Sequence, residues 1–154
     1  MQEVGHKENM KYSTDFKNYI LETCKKLRWE FFVNEYQMTV GYSEEAKLDN
    51  EEVAATISSD GRYLNFKITI YPTLFEYWKK KDLKTINEAL THEFCHLLTD
   101  PLYDFAVKGI SDKEHDYLTD IRERQTQRIT NIIFPLLKEP FKIKSKAKPR
   151  KKKK

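Results

Sequence analysis

The spacing of apolar residues changes twice along this chain of 154 residues, and this change limits its fold more than any other feature. In residues 13–28, apolar side chains recur every three or four positions, as they do on one face of a helix. Between Trp29 and Tyr71 this spacing is lost, and Val, Ile, Thr and aromatic residues predominate. After Pro72 the helical spacing returns and persists to Pro135. We therefore predict an α+β fold with an N-terminal helix, a small sheet and further helices after it.

Three or so strands are predicted in the middle of the chain, where residues that favour sheets are concentrated. They are Glu30–Tyr42, Glu52–Ser58 and Tyr63–Tyr71. The last of them has the clearest alternation of apolar and polar residues. Ser59-Asp60-Gly61-Arg62 contains the Asp-Gly pair that favours a hairpin turn, so the last two strands should pair with each other.

Two more helices follow the predicted strands. Thr73–Lys81 is expected to be a short helix, and the next one extends from about Asp82 or Thr85 to Thr99. Asp100-Pro101 should end that helix, because proline pushes the residue before it out of the helical conformation. The segment from Leu102 to Ile110 is then expected to be a loop.

The charge of the chain is concentrated at its C-terminal end. From Lys138 onward there are ten Lys or Arg residues and one acidic residue, whereas the remaining 137 residues carry a net charge of −5. We therefore predict one folded domain in residues 1–137 and a basic tail in residues 138–154, disordered because its charges repel one another. Such a tail can contact nucleic acid or another polyanion without reading its sequence.

Composition also excludes several classes of protein. No segment reaches the roughly 20 apolar residues that a transmembrane helix needs. The first residues lack the apolar region of a signal peptide. Cys24 and Cys95 are too few for a disulfide framework. We therefore expect a cytoplasmic protein without membrane contact, in which both cysteines are reduced.

His92-Glu93-Phe94-Cys95-His96 lies within the predicted helix that ends at Thr99. Residues four positions apart share one face of a helix, so the two imidazoles can bind one metal ion. Glu93 lies roughly 100° away around the helix axis, where it can take a proton from a water molecule that a zinc ion activates. The predicted core residues of this helix face away from both histidines: Leu90, Phe94, Leu97 and Leu98.

This motif, its continuation to Leu102 and the segment Glu123–Ile129 resemble small zincin-like metallopeptidases of phages and bacterial mobile elements, which are compact relatives of the gluzincins. The resemblance covers residues 13–135 and implies a minimal zincin-like fold, a zinc cofactor and a protein or peptide substrate. It also implies zinc ligands at His92, His96 and Glu123, on the HExxH helix and a long C-terminal helix, and a catalytic base at Glu93.

One position departs from the pattern of the gluzincins. They often have an aspartate four residues after the glutamate ligand, where it orients a histidine, whereas this chain has Gln127. Asp100 is a candidate for the same supporting role, because it follows His96 by four residues.

The third ligand has alternatives on the last predicted helix, which Ser111 or Asp112 caps and Pro135 ends. Its polar stripe can face either the metal ion or the solvent, and consists of Asp116, Asp120, Glu123 and Gln127. Asp120 and His115 are alternatives to Glu123. A fourth protein ligand from this pair would indicate a non-catalytic, zinc-stabilised binding module. A third possibility is a zinc hydrolase of another substrate that the basic tail tethers to nucleic acid.

Two further features are candidates for substrate contacts. The strand Tyr63–Tyr71 precedes the motif. In zincins the edge strand near the active site pairs with an extended peptide substrate, so the resemblance implies that Tyr63–Tyr71 is this edge strand and that its backbone binds substrate. Tyr103 and Tyr117 follow the motif, and a tyrosine hydroxyl can stabilise the negative charge that develops on a carbonyl oxygen.

Overall fold

The computed structural model describes residues 12–45, 47–48, 51–60 and 64–137, and it confirms the α+β class. The helices of this part of the chain are α1 (Thr14–Glu30), α2 (Pro72–Lys79), α3 (Leu83–Ala106) and α4 (Asp112–Ile133), the last followed by a 3-10 turn (Phe134–Leu136). The strands are β1 (Gln37–Tyr42), β2 (Lys47–Leu48), β3 (Glu51–Glu52), β4 (Ala55–Asp60) and β5 (Asn65–Ile70). None of these helices combines the length and the hydrophobicity that a membrane span requires.

The central strand of the main sheet is β5. It pairs in parallel with β1 on one side and antiparallel with β4 on the other. Asp60 lies opposite Asn65, which confirms the predicted hairpin pairing, although residues 61–63 of its turn lie outside the described residues. The prediction that Tyr63–Tyr71 is an edge strand is wrong, because neighbours occupy both sides of its backbone. In the strand order β1-β5-β4, the edge strand that follows β5 is β4.

The first two predicted strands begin later than the sequence pattern indicated. Leu27 and Phe31 are buried four residues apart, so helical packing extends α1 to Glu30. The helix ends where the N–H of Phe31 bonds to the carbonyl of Leu27 and Phe32 adopts a left-handed conformation with φ of 55°. β1 therefore begins only at Gln37.

The hydrophobic core lies between α1, one face of the sheet and α3. The predicted alternation in β5 is confirmed, since its buried side chains are Phe66, Ile68 and Ile70. Phe94 of α3 joins the layers, because its ring lies 5.6 Å from Phe31 and 5.6 Å from Phe66. Leu98 was wrongly predicted to be in the core, because its side chain is 46% exposed.

The predicted end of α3 at Asp100-Pro101 is wrong, since the helix continues through Pro101 to Ala106. Proline removes one backbone hydrogen bond of the helix but leaves the side-chain contacts of the next turns intact. Here the hydroxyl of Tyr103 lies 2.7 Å from that of Thr119 on α4. Packing against α4 therefore outweighs the local preference of proline, and the turn between the two helices comes only after Ala106.

We expect Pro101→Ala to raise the free energy of unfolding by about 1–2 kcal/mol. Alanine restores the missing backbone hydrogen bond and is about 3 kcal/mol more favourable than proline inside a helix, while the freer unfolded chain offsets about 1 kcal/mol. Urea unfolding followed by circular dichroism measures the change. Pro135→Ala is the matched control and should give no gain, since Pro135 occupies the first turn of a 3-10 helix. A loss of stability in Pro101→Ala would contradict the prediction.

Candidate metal centre

α3 and α4 pack side by side in opposite directions and bring three potential metal ligands together. Nε2 of His92 and Nε2 of His96 each lie 3.5 Å from Oε2 of Glu123. Two zinc ligands with bonds of about 2.0–2.1 Å at a tetrahedral angle are about 3.4 Å apart, so these separations fit one shared ion. They are also long for hydrogen bonds. The residues present therefore fit a metal ion.

The other ring nitrogen of each histidine faces an oxygen of the protein. Nδ1 of His96 lies 3.2 Å from Oδ1 of Asp100 and 3.4 Å from the hydroxyl of Thr126. Nδ1 of His92 lies 3.5 Å from the hydroxyl of Thr130. Such partners fix the ring orientation of metal-binding histidines. The expected contact between Asp100 and His96 is confirmed, and both Nε2 atoms are left to face Glu123.

Thr126 and Thr130 were missed by the sequence analysis. Both are fully buried, although α4 is otherwise largely polar. They follow Glu123 by three and seven residues, and this spacing places all three on one face of the helix. The spacing was readable in the sequence, but threonine gave no sign of burial. Of the predicted polar stripe on α4, Asp116, Asp120 and Gln127 are exposed.

Arg122 holds the carboxylate oxygen of Glu123 that does not face the histidines. Its Nη2 and Nε donate to Oε1 of Glu123 at 2.7 and 3.2 Å. Its Nη1 also lies 3.8 Å from Oδ1 of Asp100, the residue that contacts His96. The guanidinium packs over the ring of Tyr103, with its carbon 4.7 Å from the ring centre. Arg122 thus orients one candidate ligand directly and another through Asp100.

We expect Arg122→Ala to weaken metal binding about 10- to 100-fold, which is the usual effect of losing a residue that orients a metal ligand. Competition with a chromophoric chelator measures the dissociation constant. Arg128→Ala is the matched control, because Arg128 is an exposed arginine on the same helix. Equal affinities for the two variants would show that the contacts of Arg122 with Glu123 and Asp100 do not position the ligand.

Glu93 lies beside the ligands and is not one of the three converging groups. Burial raises the pKa of its carboxyl group to about 7, although the nearby His96 and His92 act in the opposite direction. The backbone N–H of Ile57 on β4 donates a hydrogen bond to this carboxylate. Glu93 is therefore held between α3 and the edge strand, with a pKa that allows it to gain and lose a proton near neutral pH.

The histidines and the carboxylates of the centre shift one another's pKa values in opposite directions. Contacts with His92 and then with His96 hold the pKa of Glu123 well below its usual range. Burial on its own would lower the pKa of His96, but Asp100, Glu123 and Glu93 outweigh burial and raise it to about 9. The carboxylates around His96 therefore favour its protonated form.

The alternative ligands are placed elsewhere. His115 is exposed, and its Nε2 lies 3.1 Å from the hydroxyl of Tyr103. Asp120 is also exposed, and neither residue belongs to the cluster of three candidate metal ligands found in the described part of the chain. Tyr103 directs its hydroxyl to His115 and Thr119 on α4, and Tyr117 is 62% exposed.

A cavity of about 310 Å³ adjoins the centre between β4, α3 and α4. His92, Glu93 and Thr130 form part of its wall. A molecule in this cavity would therefore lie beside both a candidate metal ligand, His92, and the half-buried carboxyl group of Glu93.

Comparison of this chain with protein-family models, with curated proteins and with solved structures gave no match. The resemblance to small zincin-like metallopeptidases stays a prediction from the sequence motif. The three converging side chains and the neighbouring Glu93 are the observations on which a function can be proposed.

Proposed function

We propose that this chain is a zinc-dependent peptidase in which His92, His96 and Glu123 bind the metal ion and Glu93 is the catalytic base. The observation that carries the proposal is the convergence of three candidate ligand atoms from α3 and α4 beside the half-buried carboxyl group of Glu93 on α3. A site with three protein ligands leaves a coordination position for water or substrate, as catalytic zinc sites require.

A zinc ion in this site would lower the pKa of a bound water towards about 7 and polarise the carbonyl group of the substrate. Glu93 accepts the proton of the attacking water and later donates it to the nitrogen of the leaving amine. Its position next to His92 on α3 places its carboxyl group beside the converging ligands, where both transfers would take place. The hydrogen bond from Ile57 orients the carboxylate for this task.

The edge strand β4 offers a binding position for the backbone of a peptide substrate. Its inner side pairs with β5, while the N–H of Ile57 points from its outer side towards Glu93. An extended peptide that adds to this outer side would run past the metal centre. We therefore assign to β4 the substrate-binding role that the sequence analysis predicted for Tyr63–Tyr71.

A zinc-stabilised binding module is less well supported. A structural zinc site is closed by four protein ligands, whereas three converge within the described residues. His115 and Asp120, the residues considered for the fourth position, are exposed and outside this cluster. The tail on which a nucleic-acid substrate would depend lies outside the described residues, so no structural observation favours that alternative.

The test is metal analysis combined with a cleavage assay on the full chain. We expect one zinc ion per folded chain by mass spectrometry, and cleavage of a mixed peptide library that a chelator abolishes and added zinc restores. A folded protein that takes up no metal would contradict the proposal. So would a zinc-loaded protein that cleaves no peptide.

A further inference from the structure

The cavity beside the metal centre has the position of a substrate pocket. It lies between the segment that leads into β4, the middle of α3 and the C-terminal part of α4. Since His92 and Glu93 belong to its wall, a side chain in the cavity would lie next to the bond that the proposed peptidase cleaves.

Small side chains keep this cavity open. Ala54 and Ala55 line it from the strand side, and Ala89 lines it from α3. Its volume of about 310 Å³ is at the lower end of the range for pockets that bind small molecules. The space suits one long side chain of a peptide whose backbone lies along β4.

The wall of the cavity is acidic. Among the described residues, Glu52, Glu88 and Glu93 line it, and no lysine or arginine does. Within the described residues, neither Glu52 nor Glu88 forms an ion pair. A pocket wall with carboxylates and no basic side chain is complementary to a cationic side chain and repels an anionic one.

Glu88 is the better placed of the two unpaired carboxylates. It is half-buried on α3, one turn before His92, so a long helix holds it in place. Glu52 is exposed at the end of a strand of two residues. A partly desolvated charge on a rigid element discriminates more strongly between substrates than an exposed one does.

We infer that this cavity binds the side chain of a lysine or arginine residue next to the cleaved bond, and that Glu88 is the residue that determines this preference. The inference rests on the proposed function, because it names the substrate class of the same site.

The test compares two peptides that differ only in one residue, lysine or the uncharged norleucine, next to the cleaved bond. For the full zinc-loaded chain we expect kcat/KM to be about tenfold higher for the lysine peptide. Glu88→Gln should bring the ratio of the two values close to one, and Glu88→Lys should make a glutamate peptide better than the lysine peptide. Glu22→Gln, on the exposed side of α1, is the matched control and should leave the ratio unchanged.

Binding of the same peptides to zinc-loaded Glu93→Gln, measured by fluorescence anisotropy, separates this inference from the proposed function. Equal cleavage of the lysine and norleucine peptides would overturn the inference and support the peptidase. Tighter binding of the lysine peptide that depends on Glu88, without cleavage by the wild type, would support the pocket and overturn the peptidase. Neither cleavage nor selective binding would overturn both.

Discussion

Glu93→Gln should lower kcat for peptide hydrolysis by about 10²- to 10⁴-fold while the bound metal is retained. Glutamine has nearly the same shape as glutamate, and its amide oxygen can still accept the hydrogen bond from Ile57. It cannot accept the proton of the attacking water. Since Glu93 is not one of the three converging ligands, the metal site should survive the substitution.

Two measurements on one preparation check this result: the rate of cleavage of a fluorogenic peptide, and the zinc content by mass spectrometry. Glu22→Gln is again the control, because it removes an exposed carboxylate on α1. Full activity of Glu93→Gln would show that Glu93 is not the base. Loss of zinc would show instead that Glu93 is a ligand, and the assignment of Glu123 would then need revision.

The spacing of apolar residues along the chain predicted the α+β class, because most core residues are apolar and recur at the regular intervals of helices and strands. Apolar residues of α1, β5 and α3 are buried with the spacing that their elements require. The errors occur where tertiary contacts oppose a local preference. Pro101 stays inside α3 because the turns beyond it pack on α4, and Glu30 belongs to a helix because Phe31 is buried. Neither contact is visible in a local window of sequence.

The candidate site was predictable to the extent that its residues lie on one helix. The spacing of His92 and His96 within α3 requires that they share a face, whatever the rest of the fold is. The position of Glu123 depends on how α4 packs against α3, so only the family resemblance favoured it over Asp120 and His115. The contacts of Thr126, Thr130 and Arg122 depend on the same packing, and no motif indicates them.

The prediction that Tyr63–Tyr71 is an edge strand was a separate error. It too arose because a tertiary contact, here the pairing of strands, is not visible in a local window of sequence. The sequence predicts that Tyr63–Tyr71 is a strand but does not show what pairs with it. The parallel pairing of β1 with β5 joins strands that are far apart in sequence, and it places β5 in the centre. Strand order is a long-range property, so the strand that faces Glu93 became known only from the fold.

Glu123→Ala should weaken metal binding by more than the roughly 10- to 100-fold expected for a supporting residue such as Arg122, because it removes one of the three proposed ligands itself. Oε2 of Glu123 is the atom that both histidines face, at 3.5 Å from each. Without it two ligands are left, fewer than the three that catalytic zinc sites have. Zinc content after dialysis and the dissociation constant from chelator competition measure the loss.

Asp120→Ala and His115→Ala are the matched controls, since both residues are on α4 and were alternative ligands. Both variants should keep one zinc ion per chain, because their side chains are exposed and lie outside the cluster. Circular dichroism has to show that Glu123→Ala is folded, so that loss of metal is not loss of structure. Zinc retained by Glu123→Ala but lost by Asp120→Ala would mean that α4 presents a different face to α3 in the metal-bound protein.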